Sequence, residues 1–230
     1  MLPAGRKDIL VAIVDNSIAP SVYKPVEHWA AFLGVPFASF RAAEGRLPDL
    51  GKEFTHVILT GSEASILERE PWVGAEVEFV REALKTDIPI LGSCYGHQLL
   101  ALAMRGPAHV RRALRPEVGW FPIEIRTESG LLGEGGTVYA FSSHFDEVSE
   151  LDGDFRVLAS TPGCAVQAAI VDGTLDPVRL HSLERLIEEE AALEEEQRAH
   201  DKASDRRAGG KTRPPEESEF DDLREGEDLQ

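Results

Sequence analysis

Short apolar runs along the chain alternate with stretches in which apolar residues recur every three or four positions. Asp8–Asn16 (DILVAIVDN) is rich in β-branched residues and closes on Asp-Asn, the pattern of a buried parallel strand. Val22–Leu33 predicts a helix after its Pro25, closed by Gly34. Val35–Phe40 and His56–Thr60 predict a second and a third strand, the third running directly into Gly61-Ser62. Val73, Val77, Val80 and Leu84 form one stripe of an amphipathic helix. Ile88–Leu91 predicts a fourth strand and Gly96–Arg105 a helix, stopped by Gly106-Pro107. Strand-then-helix alternation predicts an α/β fold with a parallel sheet covered on both faces. Trp120–Val171 then predicts a series of shorter strands joined by turns.

The C-terminal quarter changes character. Asp176-Pro177 is a helix-start signal, and Leu180, Leu183, Leu186 and Ile187 follow at helical spacing. Beyond about His200 no hydrophobic period remains. From Glu184 to Gln230 there are 17 acidic and 8 basic residues and one aromatic, Phe220. Such a segment buries too little to offset its ordering entropy, so disorder is the expectation, with solubility its simplest role. No internal repeat is visible.

Composition narrows the function classes. The 230 residues are 42% hydrophobic and 28% charged, enough for one core of ordinary size. A formal net charge of −17 argues against nucleic acid or an anionic membrane as partner. The longest apolar runs, Ile9–Val14 and Leu99–Met104, are far too short to span a bilayer, and no secretory leader is visible. Two cysteines, Cys94 and Cys164, make no disulfide framework, so a reducing, cytoplasmic setting is expected.

In open parallel sheets the reactive groups lie beyond the carboxyl ends of the strands. The turn after the fourth strand reads Gly92-Ser93-Cys94-Tyr95-Gly96-His97-Gln98, a G-x-C-x-G between strand and helix. This is the thiol counterpart of the nucleophile elbow, in which a sharp turn lifts the nucleophile out of the sheet. Residues two before and two after it must be small, as Gly92 and Gly96 are. The helix N-terminus behind Cys94 favours thiolate, and the Tyr95 N–H is placed to serve as an oxyanion donor. The bland alternative is a buried, inert cysteine at a strand end, against which the paired glycines weigh. For Cys164 the bland reading is preferred.

GSCYGHQLLALAMRG resembles the elbow of the class I glutamine amidotransferases, in which a cysteine takes ammonia from glutamine through a γ-glutamyl thioester. The resemblance extends over about residues 8–171. Thr60-Gly61-Ser62 sits where the family carries its second oxyanion loop. Glu117–Ile125 (EVGWFPIEI) is similar to the segment after the elbow helix, Ser142–Val148 (SSHFDEV) to a stretch bordering the glutamine pocket, and Phe155–Ala168 to the following hairpin. Stand-alone members similar to the glutaminase half of GMP synthetase come nearest. The resemblance implies a flavodoxin-like, three-layer αβα sandwich with a mostly parallel central sheet over residues 1–175. An amphipathic helix over 176–199 and an acidic tail over 200–230 would follow. It also implies Cys94 as nucleophile, Gly61 and Tyr95 as oxyanion donors, and Gln98, Ser143, His144 and Phe145 around the substrate. For Gln98 the plain alternative is a polar residue in a helix's first turn, and for His144 a surface residue before a turn. His97 is expected to pack behind the elbow.

The family's late strand Gln-Phe-His-Pro-Glu, which supplies the imidazole and its orienting carboxylate, is missing. His181 and Glu184 occupy the corresponding region as H-x-x-E on the expected helix, where such a pair is more often a surface pair. Three readings follow. The first is an active amidotransferase or γ-glutamyl hydrolase using Cys94, His181 and Glu184. It would need no cofactor or metal and would hand ammonia to an amidating synthetase on another chain, since no Gly-Lys-Ser/Thr phosphate loop occurs here. The second is a catalytically impaired relative that binds a glutamine-like ligand or a protein partner. The third is a DJ-1-like cysteine hydrolase, whose elbow places a histidine where this chain has Tyr95.

Overall fold

Val11–Asp15 is buried at all five positions, and its two faces serve two different cores. Val11 and Ile13 pack with Ile58 and Leu33, against Val26 and Trp29. Ala12 and Val14 turn the other way, into a larger cluster that includes Val73, Phe79, Val80, Leu99 and Leu102. A strand covered on both sides has no polar face to show, which is why it reads as an unbroken apolar run.

The computed structural model describes residues 9–171, except 52, 53, 87, 152 and 154. The expected helix over 176–199, the acidic tail over 200–230, and His181 and Glu184 therefore lie outside the described residues. Strand β1 (Val11–Asp15) leads to helix α1 (Pro25–Phe32), which has Pro25 in its first turn. β2 (Phe37–Arg41), β3 (His56–Leu59), helix α2 (Val73–Leu84), β4 (Ile90–Gly92) and helix α3 (Tyr95–Arg105) follow. The first four strands form a parallel sheet in the order β2-β1-β3-β4. Carboxyl ends of β1, β3 and β4 thus meet at one rim, and the loops holding Asn16, Gly61 and Cys94 leave from it.

The second half departs from the expected architecture. β5 (Val110–Ile125), β6 (Gly136–Val148), β7 (Phe155–Ser160) and β8 (Ala168–Val171) form an antiparallel sheet in the order β6-β5-β7-β8. The expectation of a mostly parallel central sheet therefore holds only for β1–β4. Of the short strands expected over Trp120–Val171, β7 and β8 are short, of 6 and 4 residues, but β5 and β6 are long, of 16 and 13 residues, and pair as a ribbon. Pro116 falls in the irregularity between Arg112 and Glu117, and Gly119 takes a φ of +134°. The pairing is interrupted between Arg112 and Glu117 and then continues in regular register through Gly119. One of its faces leaves Val118, Trp120, Tyr139, Phe141 and Phe145 exposed, with Trp120 and Phe141 meeting edge-on.

Candidate active site

The turn from β4 into α3 holds Cys94 at φ 51°, ψ −107°, one of two non-glycine residues at positive φ among the described residues. Side chains avoid this region, so the turn stores roughly 1–3 kcal/mol that the surrounding structure must offset. It does so through close packing and hydrogen bonds. A Cβ on Gly92 would lie 2.4 Å from the Gly96 carbonyl oxygen, and one on Gly96 would lie 2.2 Å from that of Leu59. Ser93 N–H donates to the Leu59 carbonyl at 2.9 Å, and Gly96 N–H to that of Thr60 at 3.1 Å. The elbow is thus sewn to the end of β3, and Gly61 follows directly.

Cys94 keeps an exposed surface. Even so, the protein around it removes a thiolate from water, and this burial pushes the thiol above its ordinary range. The Tyr95 backbone N–H pulls it back, and the Asp146 carboxylate pushes it up again. The expected preference for thiolate at the helix N-terminus is therefore outweighed by desolvation. A resting thiol needs a base to become a nucleophile. By contrast Cys164 is buried, with its thiol against the Val166 carbonyl at 3.6 Å and its pKa pushed up to about 11, chiefly by burial.

Gly61 lies against the elbow: a Cβ there would sit 3.5 Å from Cys94 Cβ and 2.7 Å from the Tyr23 hydroxyl. On the far side the Ser143 carbonyl oxygen is 4.0 Å from Cys94 Sγ. Gln98 Nε2 donates to the Asp146 carbonyl at 2.7 Å, tying α3 to β6. Phe145 stands exposed on the ribbon, whereas His144 turns to the opposite face. There His144 Nε2 meets Glu117 Oε2 at 3.2 Å. His97 sits behind the elbow, donating to the Val166 carbonyl, with burial holding its pKa below the ordinary value. Cys94, His97, Gln98, Ser143, His144 and Gln167 all border one cavity.

Two groups in this region, Glu117 and Tyr23, are not among the expected site residues, although Glu117 heads the segment EVGWFPIEI. Glu117, 3% exposed, accepts hydrogen bonds from Thr161, Gln167 and His144. A carboxylate so buried needs converging donors to remain in place. Its signal in the sequence is a lone acid heading an apolar strand. Tyr23 has no signal, because a loop brings it to Gly61 from far along the chain. Among the described residues no cluster of three or more His, Cys, Asp or Glu could hold a metal ion, and no helix is long and apolar enough to cross a membrane.

Strained thiol, glycine-flanked elbow and parallel sheet agree with the family comparison. The model of the class I glutamine amidotransferases matches residues 33–176, and the chain belongs to that family. It is 35% identical over 132 residues to a glutamine-hydrolyzing GMP synthase subunit of Sulfurisphaera tokodaii, spanning 56% of this chain and 68% of that protein. It is 42% identical over 118 residues to the corresponding subunit of Saccharolobus solfataricus, spanning 51% and 60%. The chain thus spans about two thirds of the length of these relatives. Among solved structures, a Thermoplasma acidophilum protein assigned as a GMP synthase subunit superposes with TM-score 0.62 at 20% identity, over 84% of this chain and all of that one. A glutamine amidotransferase from Methylobacillus flagellatus gives 0.60 at 22% identity, over 73% and 67%. These last two likenesses concern the fold.

Proposed function

We propose that the protein is a glutaminase that releases ammonia from glutamine through a Cys94 thioester and hands it to a separate synthetase. Supporting this reading is the strained Cys94 at the parallel-sheet rim, between Gly61 and the Ser143 carbonyl. In the proposed reaction the sulfur attacks the γ-carboxamide carbon and the carbonyl electron pair moves onto oxygen. The N–H groups of Gly61 and Tyr95 receive that oxyanion. Collapse expels ammonia, and water then cleaves the thioester to glutamate. Gln98, Ser143 and His144 border the bound amino acid; Phe145, expected with them, stands exposed on the other face of the ribbon and lies outside the cavity. His181 is the proposed proton carrier for the thiol and the leaving amine, with Glu184 its orienting acid. The GMP synthase subunits among the relatives favour a GMP-forming synthetase as the receiver of the ammonia.

A second reading, a binding relative without turnover, is favoured by one observation. Both histidines bordering the cavity are already engaged, His97 by the Val166 carbonyl and His144 by Glu117. Ammonia release by the wild type, Cys94→Ala and His181→Ala, with and without a synthetase, separates the two. Turnover abolished by both substitutions supports the glutaminase. Turnover lost with Cys94 but retained in His181→Ala assigns the base elsewhere. No release in any sample favours the binding relative.

A further inference from the structure

Beside Gly61 at the elbow lies a hydroxyl that none of the expected site residues supplies. Tyr23 lies in the loop between β1 and α1, and its phenol crosses the Gly61 backbone. The missing side chain of Gly61 leaves the room it fills, since a Cβ would meet the hydroxyl at 2.7 Å and the ring carbon bearing it at 3.6 Å. Cys94 Cβ approaches the same point to 3.5 Å, so hydroxyl and nucleophile converge on one glycine.

Hydrogen bonds fix the loop that carries Tyr23. Asn16 N–H donates to Thr60 Oγ1 at 3.0 Å, and Asn16 Nδ2 to the Thr60 carbonyl at 3.1 Å. Ile18 and Ala19 N–H donate to the two Glu63 oxygens, each at 3.2 Å. Tyr23 N–H closes a turn on the Ala19 carbonyl at 3.0 Å. Both anchors, Thr60 and Glu63, flank Gly61, so the phenol and the glycine N–H are presented by one fixed assembly. Among the described residues the hydroxyl has no hydrogen-bond partner of its own. Tyr23 is 37% exposed; partial burial of the phenol, then the nearby Cys94, Glu63 and Asp15, raise its pKa further above the ordinary value, at which it is already a donor near neutral pH.

We infer that Tyr23 is a further catalytic residue, whose hydroxyl donates a hydrogen bond to the oxyanion formed when Cys94 adds to an acyl carbon. This rests on the reading of Cys94 as nucleophile but not on glutamine as substrate. As the carbon–sulfur bond forms, the carbonyl π pair becomes a third lone pair on oxygen. The Tyr23 O–H stabilises that charge without transferring its proton. When the pair returns, the leaving group departs with the electrons of its own bond to carbon.

Two reagents separate this role from general reactivity. p-Nitrophenyl acetate acylates a thiol through a tetrahedral oxyanion and releases p-nitrophenolate. Iodoacetamide alkylates it by displacement of iodide, with no oxyanion. In the full-length protein, Tyr23→Phe is expected to slow Cys94 acylation by about tenfold or more, less than the roughly hundredfold or greater loss on removing an oxyanion donor, because the Gly61 and Tyr95 N–H groups remain. Alkylation of Cys94 should change by less than about twofold. Acylation unchanged in Tyr23→Phe, or both reactions slowed alike, overturns the inference. Acylation that persists in Cys94→Ala removes the nucleophile reading and this inference with it. Acylation confined to Cys94 and dependent on Tyr23, in a protein that releases no ammonia from glutamine, supports the inference and contradicts only the proposed substrate.

Discussion

Cys94 is strained because the backbone around it has no slack. Gly96 meets the Leu59 carbonyl so closely that a methyl group would force β3 and α3 apart. The expected result for Gly96→Ala is a loss of about 3 kcal/mol or more in unfolding free energy, together with loss of Cys94 reactivity. Denaturant titration and alkylation rates check it. A variant of wild-type stability would mean that the elbow is looser than these distances imply. The thiol itself is held protonated by burial, so its alkylation rate should still be climbing at pH values where an ordinary cysteine has levelled off. A plateau near neutral pH would contradict that environment. This part of the site is legible in the sequence because all its parts lie within five residues, Gly92 to Gly96. Glu117, Thr161 and Gln167 are not, since their hydrogen bonds join positions 44 and 50 residues apart. Tyr23 escapes for the same reason.

At the scale of elements, α2 and α3 meet through a buried polar contact. The Tyr95 hydroxyl donates to Glu76 Oε2 at 3.4 Å, and Trp72 packs on the Tyr95 ring. Desolvation raises the Glu76 carboxyl to about 8, so it is protonated in the folded protein at neutral pH. Unfolded, it would ionise near 4.5. Between those values the folded state binds the extra proton, so stability falls as pH rises through that window. In Glu76→Gln this fall should flatten between about pH 5 and 8, read as melting temperature against pH. An unchanged slope would show that Glu76 is not the group responsible. On the other side of α3, Glu117 joins β5, β6 and the loop before β8. Glu117→Gln turns an acceptor into a donor facing Gln167 or His144, a loss of about 1–3 kcal/mol by thermal or denaturant unfolding. A neutral effect would mean that the cluster rearranges freely. The parallel half was readable because strands covered on both faces appear as unbroken apolar runs. In the β5–β6 ribbon, exposed Val118, Trp120, Tyr139 and Phe141 blur the apolar–polar alternation that marks a one-sided sheet.

For the whole molecule, the chain combines a family fold with a C-terminal sequence in which no His-Pro-Glu string occurs. A net of −9 over the last 47 residues, with one aromatic, predicts little burial there. Truncation after residue 200 should therefore leave the melting temperature within about 1–2 °C of the intact chain. A larger fall would show that those residues hold the domain together. Function at this scale rests on whether a glutamine-shaped reagent finds Cys94. The most direct measurement is peptide mapping by mass spectrometry after treatment with a diazoketone analogue of glutamine, in the presence and absence of excess glutamine. One adduct per chain, on Cys94 and not on Cys164, blocked by glutamine, is the predicted result. Label on Cys164, or label on Cys94 that glutamine does not slow, would contradict a glutamine site built on the elbow.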